Sequence, residues 1–166
     1  MRGLYRKLKC LNRISFRSMV SAEIKEDVMM KRATGIGGVF FKSKNPEKIR
    51  AWYKQHLGLV VNEYGSVFEF RESESQQKAY LQWSPFKDST DYFQPSEKDF
   101  MINYRVANLE ALKTALEAEG VEICDEIETY DYGKFLHIMD GEGNKIELWE
   151  PVDKVYGEMG GGETTR

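Results

Sequence analysis

His137 and Glu147 are the two side chains best suited to exchange a proton or hold a metal ion, and both lie in the stretch GKFLHIMDGEGNKIELWEP, Gly133 to Pro151. Its first arm, Phe135 to Met139, is aromatic and branched. Its second, Lys145 to Trp149, alternates polar Lys145 and Glu147 with apolar Ile146 and Leu148, the period of a strand. Asp140-Gly141-Glu142-Gly143-Asn144 between them supplies residues that accept positive φ or bond their own backbone, so the chain reverses there. With Asp140 opposite Asn144, His137 faces Glu147 on one side of the hairpin and Ile138 faces Ile146 on the other. An imidazole and a carboxylate about 5 Å apart at Cβ can hold a metal, share a proton or simply hydrogen-bond. A slip of one residue would turn His137 to the buried face and dissolve the pair.

The elements that must carry this hairpin recur twice. GIGGVFFKS after Gly35 is a strand, and Asn45-Pro46-Glu47 is a helix start with a capping side chain and proline at the first position. Ile49, Trp52 and Tyr53 mark one apolar face of a helix running to about His56, and Gly58 stops it. Strands are expected at Val60 to Glu63, Ser66 to Arg71 and Lys78 to Ser84. After a polar connector, residues 86–98, the same grammar returns. Phe100 to Val106 is a strand, Asn108 a cap, Leu109, Leu112, Ala115 and Leu116 a helix face, and Gly120 a stop. Strands then follow at Val121 to Asp125, near Phe135 to Met139 and at Lys145 to Trp149. The caps Asn45 and Asn108 align Gly38 with Met101, and the end strands align Gln82 with Glu147. Each half is a βαβββ module that cannot bury its own sheet, so two must pack side by side.

A length of 166 residues, 41% hydrophobic and 13% aromatic, supports a true core, and a net charge of -3 gives no pull towards nucleic acid or anionic membrane. No apolar run approaches the ~20 residues of a membrane helix. Cys10 and Cys124 show no ligand spacing, which argues against a disulfide framework or thiolate zinc site. Neither a phosphate-cradling glycine loop nor a serine nucleophile elbow is present. Residues 1–34 form a basic leader, with Arg2, Arg6, Lys7, Lys9, Arg13 and Arg17 preceding the first acid. It reads as a disordered or mis-assigned start, with organelle targeting as the alternative to a cytoplasmic protein. Residues 152–166 read as a flexible tail.

The duplicated unit, with NPEKIRAWYKQHLGL in the first half and DGEGNKIELWEP in the second, resembles the vicinal oxygen chelate superfamily: glyoxalase I, bleomycin-resistance proteins, extradiol dioxygenases and fosfomycin-resistance enzymes. The resemblance covers residues 35–151, as module one (35–85), the connector and module two (99–151). It implies an α+β fold in which two paired βαβββ modules form a cup-shaped mixed sheet with helices outside, and a homodimer. It also implies metal ligands on the first and last strands of each module, which fall at Gly38, Gln82, Met101 and Glu147. Only Glu147 is a usual ligand. A divalent metal is therefore the one candidate cofactor, on an incomplete site, or on a displaced one formed by Glu147, His137 and Glu69.

Alternation from an inward Glu147 places Lys145, Trp149 and His137 on its face, with Phe40, Lys42, Glu69, Tyr80, Gln82, Met101, Asn103 and Arg105 completing the lining. Such a wall, aromatic with a few convergent polar groups, suits a small-molecule ligand. Lys42, Glu69, Arg105 and Glu147 read equally as a mutually neutralising cluster, and His137 as a structural residue, a base or a ligand. Two functions follow. One is a metal-independent binding protein resembling the bleomycin-resistance branch, in which Trp149, Tyr80 and Phe40 supply apolar contact and Glu147, Arg105 and Gln82 orient the ligand. The other is a glyoxalase-like lyase, isomerase or dioxygenase with Glu147 as metal ligand or, with His137, as catalytic base.

Overall fold

The computed structural model describes residues 32–159 and 163–165. Residues 1–31 of the basic leader lie outside that range. The chain runs β1 (Ala33–Ser43), α1 (Pro46–Leu57), β2 (Ser66–Arg71), β3 (Lys78–Lys87), β4 (Phe100–Val106), α2 (Leu109–Ala118), β5 (Glu128–Tyr130), β6 (Gly133–Met139), β7 (Lys145–Pro151) and α3 (Asp153–Glu158). All seven strands form one mixed sheet in the order β2-β3-β1-β4-β7-β6-β5. The two halves meet where β1 and β4 pair antiparallel. Outward from that seam each half repeats one arrangement, β1 parallel to β3 and β4 parallel to β7. This is the expected α+β architecture.

Local chemistry sets both helices. Asn45 Oδ1 accepts from Lys48 N at 2.9 Å, and Asn108 Oδ1 accepts from Ala111 N at 2.9 Å, each satisfying an orphan N–H of the first turn. Gly58 closes α1 at φ 70, a left-handed conformation that costs glycine nothing. The helices differ in what they bury. Leu109, Leu112 and Leu116 of α2 pack with Val106, Leu136, Ile138 and Leu148 in the main apolar core. Each such side chain contributes about 1.5–3 kcal/mol on burial. By contrast α1 buries no residue completely: Tyr53 lies against Trp83 at 4.6 Å, while Trp52, assigned to the core by its spacing, remains 49% exposed.

Two expected strands are reduced to single bridges. At Val60 to Glu63 only Val61 pairs, with Ser66, because Asn62 Oδ1 is engaged by the N–H groups of Tyr64 and Gly65 in a tight turn. At Val121 to Asp125 only Ile123 pairs, with Ile138. There the Asp125 carboxylate takes the His137 N–H at 2.8 Å, which ends the ladder. The edge is supplied instead by β5, which pairs with β6 from Glu128 opposite Phe135 to Tyr130 opposite Gly133.

The tail also differs from expectation. Asp153–Glu158 is helical, and Thr165 pairs with Phe68 at the β2 edge. Residues 160–162 and 166 lie outside the described range.

Candidate functional site

The β6–β7 hairpin has the register read from its turn, with His137 opposite Glu147 and Ile138 opposite Ile146. Asp140 holds it: Oδ1 accepts from Glu142 N at 2.9 Å and Asn144 N at 2.8 Å, and Oδ2 from Asn144 Nδ2 at 2.7 Å. Those bonds to Asn144 hold the Asp140 carboxyl below its ordinary range. Because the turn fixes register, it also fixes which face receives the chemistry.

On that face Glu147 is 3% exposed and surrounded by donors. Its Oε1 accepts from Asn103 Nδ2 at 2.6 Å. Its Oε2 accepts from the Tyr92 hydroxyl and meets His137 Nε2 at 3.1 Å. The other imidazole nitrogen, Nδ1, lies 2.6 Å from Asp125 Oδ2. Asp125, His137 and Glu147 thus form a carboxylate–imidazole–carboxylate line. Burial acts to lower the His137 pKa, but the hydrogen bond and charge of Glu147 outweigh it, and the net direction is upward. Burial, reinforced by Glu147, pushes the Tyr92 phenol well above its ordinary value, and burial does the same to Tyr156, so both remain neutral hydroxyls.

Above this cluster lie two adjoining cavities of about 270 and 630 Å³. Phe40, Gln82, Tyr92, Tyr132 and Tyr156 line both. Asn103, Glu147, Trp149 and Glu128 line the inner one, and Tyr64 and Met159 the outer. The approach of Asn103 to β1 depends on Gly37, where a Cβ would lie 2.2 Å from Asn103 Oδ1 and 2.8 Å from Trp149 Cε3.

Five of the expected ligand-facing residues, Phe40, Gln82, Asn103, Glu147 and Trp149, therefore converge on the cavity, with His137 directly behind Glu147. The others do not line it. Arg105 is 1% exposed and paired to Asp153 through Nη2–Oδ2 at 2.6 Å and Nη1–Oδ1 at 3.0 Å, beneath the Trp149 ring. Tyr80 is buried, its ring against Tyr156 and its carbonyl accepting from Arg105. Met101 is fully buried with Phe93 and Phe40. Lys42 lies over the Phe93 ring and 3.7 Å from Asp99. Glu69 shares the Tyr80 face of the sheet but pairs with Lys78 at 3.1 Å near the open edge.

The strand alignment also shifts. Gly38 lies opposite Gln82 and Asn103 opposite Glu147, so Asn103, rather than Met101, is the counterpart of Gly38. Alignment from the helix caps fails by two residues because β1 extends further beyond Gly38 than β4 does beyond Asn103.

These four positions do not fit a divalent metal. Gly38 offers no side-chain donor, Gln82 Oε1 is taken by the Tyr156 hydroxyl at 2.6 Å, and both Glu147 oxygens already receive protein hydrogens. Nor do Glu147, His137 and Glu69 gather: among the described residues no three of His, Cys, Asp and Glu converge as a metal would require.

Sequence reasoning missed Tyr92, Asp125, Glu128, Tyr132 and Tyr156. The signals present were the aromatic pair Tyr92-Phe93 inside an otherwise polar connector and the alternation of Tyr130 with Tyr132. Nothing marked Tyr156, which reaches the cup from a segment outside both modules.

No family model matches the sequence, and no curated protein matches it. Solved structures do. A methylmalonyl-CoA epimerase in complex with methylmalonyl-CoA and NH4+ superposes with a TM-score of 0.54 at 14% identity, over 72% of this chain and 96% of that one. A substituted Streptomyces coelicolor methylmalonyl-CoA epimerase bound to 2-nitronate-propionyl-CoA gives 0.53 at 14% identity, over 72% and 99%. Over 72% of its length the chain thus shares the fold of these epimerases, the α+β fold implied by the resemblance to the vicinal oxygen chelate superfamily.

Proposed function

We propose that this is a metal-independent small-molecule-binding protein of the glyoxalase/bleomycin-resistance type, which holds its ligand in the aromatic cup over Glu147. One observation carries the reading: a buried carboxylate, held in place by contacts with three protein side chains, lies at the base of an aromatic cavity. Phe40, Tyr132, Tyr156 and Trp149 supply apolar contact, while Asn103 and Glu147 orient polar groups. That the epimerases of like fold were solved with acyl-CoA compounds supports the use of the cup for a ligand, not the identity of that ligand. The test is a thermal-shift screen of small organic molecules with and without EDTA. Hits should be insensitive to EDTA and lost in Tyr132→Ala. Hits that vanish with EDTA would refute the proposal.

The Asp125–His137–Glu147 line supports a second reading, an isomerase or lyase in which Glu147 takes a proton from a carbon next to a carbonyl. His137 and Asp125 would adjust to the change in charge. In this case Glu147→Gln abolishes exchange of a substrate hydrogen with deuterated water, whereas a binding protein shows no such exchange with either residue in place.

A further inference from the structure

Donors and acceptors around the cup are unevenly spent. The Tyr92, Tyr156 and Trp149 polar hydrogens go to Glu147, Gln82 Oε1 and the Tyr132 carbonyl. The Gln82 amide donates to Ser84 Oγ at 2.9 Å and to neighbouring carbonyls, and Tyr130 donates to Glu128 at 2.7 Å. On the wall the Tyr132 hydroxyl can serve as donor or acceptor, but at the buried base of the cup it is acceptors that remain. Asn103 is 2% exposed, its Nδ2 must face the Glu147 carboxylate, and its Oδ1 is left buried with no partner. Glu147 Oε1 receives a single hydrogen where a carboxylate oxygen accepts two. A buried acceptor left unmade is costly, so an occupant that brings N–H groups is favoured over one that brings lone pairs.

Charge points the same way. Glu63, Glu128 and Glu147 line the cavities, and among the described residues no lysine or arginine does. Two cationic side chains lie behind the lining: Arg105, behind Trp149, is matched by Asp153 and by Glu72 at 3.4 Å, and the buried Lys145 ammonium lies against the Tyr92 ring and donates to the Tyr92 carbonyl at 2.8 Å. Two carboxylates flank one imidazole in the Asp125–His137–Glu147 line, so that, with the nearby Lys145 ammonium counted, the cluster carries no net positive charge whether or not His137 is protonated. The phenols add no positive charge, and their rings, with Trp149 and Tyr156 at 4.9 Å and Tyr130 stacked on Tyr132 at 5.3 Å, offer electron-rich faces.

We propose that the cup takes an organic cation bearing an N–H group, a protonated amine on an apolar body, with its N–H groups on Asn103 Oδ1 and Glu147 Oε1 and its body against Trp149, Tyr132 and Tyr156. This rests on the reading of the cup as a ligand site. It also separates the chain from a phosphate-rich acyl-CoA, for which the lining offers no cationic partner among the described residues.

The experiment is isothermal titration of the full chain with four probes of similar shape: benzylammonium, benzyl alcohol, benzoate and benzyltrimethylammonium. Benzylammonium should bind about tenfold or more tightly than the alcohol, and benzoate not measurably. Benzyltrimethylammonium, which keeps the charge without an N–H, should bind several-fold more weakly than benzylammonium. Glu128→Gln, at an exposed rim position where folding is not at risk, should weaken benzylammonium several-fold and leave benzyl alcohol unchanged. Equal or tighter binding of benzoate or benzyl alcohol overturns the cation proposal while leaving the binding reading intact. Equal binding of the trimethyl probe overturns the N–H assignment, and silence of all four probes at millimolar concentration counts against both readings.

Discussion

Removing the Glu147 carboxylate should destabilise the protein by an amount that depends on what replaces it. In Glu147→Ala, Asn103 Nδ2 and His137 Nε2 lose their acceptor in a site with little access to water, while the Tyr92 hydroxyl, at the edge of the cup, can turn to solvent. Two stranded donors at about 1–3 kcal/mol each, with the small cavity left behind, give about 3–5 kcal/mol. In Glu147→Gln the amide oxygen keeps Asn103 Nδ2, and the new NH2 meets a hydroxyl and an imidazole nitrogen that can both become acceptors. The hydroxyl rotates, and His137 retains its Nδ1 hydrogen on Asp125. Only the charge assistance of the bonds is lost, about 1–2 kcal/mol. Urea unfolding followed by circular dichroism at neutral pH measures both. An alanine variant costing less than about 1 kcal/mol, or a glutamine variant as costly as alanine, would refute the claim that this carboxylate is the common acceptor of three donors.

Protonated His137 is favoured in the folded state, so its contribution to stability is fully present below the unfolded value of 6.5 and is lost as pH rises through the higher folded value. Urea unfolding across that window should show stability falling, and His137→Gln should flatten the fall. Tyr92→Phe keeps the parallel stacking on Phe86 at 5.4 Å but removes a donor to a carboxylate, and should cost about 1.5–3 kcal/mol by the same measurement. Gly37→Ala places a methyl group against Asn103 and Trp149 and should cost about 1–3 kcal/mol while closing the inner cavity to any ligand found in the screen. Leu112→Ala, deep in the core beneath α2 and away from the cup, should cost about 2–5 kcal/mol and leave ligand affinity unchanged in the folded fraction.

The parts of the fold legible in the sequence were those set by local rules. Asn45 and Asn108 announce helices because a capping side chain acts within three residues, and the Asp140–Asn144 turn announces a register because its bonds are internal. The failures arise where a side chain captures a backbone group from elsewhere. Asp125 holds the His137 N–H and ends an expected strand, and Asn62 closes a turn where a strand was expected. Alternation placed Arg105 on the right face but could not show that Asp153, from a segment read as a tail, would claim its guanidinium.

That last contact connects the tail to the cup. The same α3 that matches Arg105 through Asp153 places the Tyr156 hydroxyl on Gln82 and its ring against Trp149, so one short helix both neutralises the buried guanidinium and walls the cup. Without Asp153, Arg105 would keep only the longer contact of its Nη2 with Glu72 at 3.4 Å and would present more of its positive charge to the cavity from behind Trp149. With Asp153 in place, the charged side chains that line the cavities, among the described residues, are Glu63, Glu128 and Glu147. The acidity of the cup is thus a property of the module and the tail together, and no pattern within residues 35–151 alone could have revealed it. Asp153→Asn should accordingly weaken benzylammonium while leaving benzyl alcohol unaffected, and a loss of both would mean that α3 only shapes the wall.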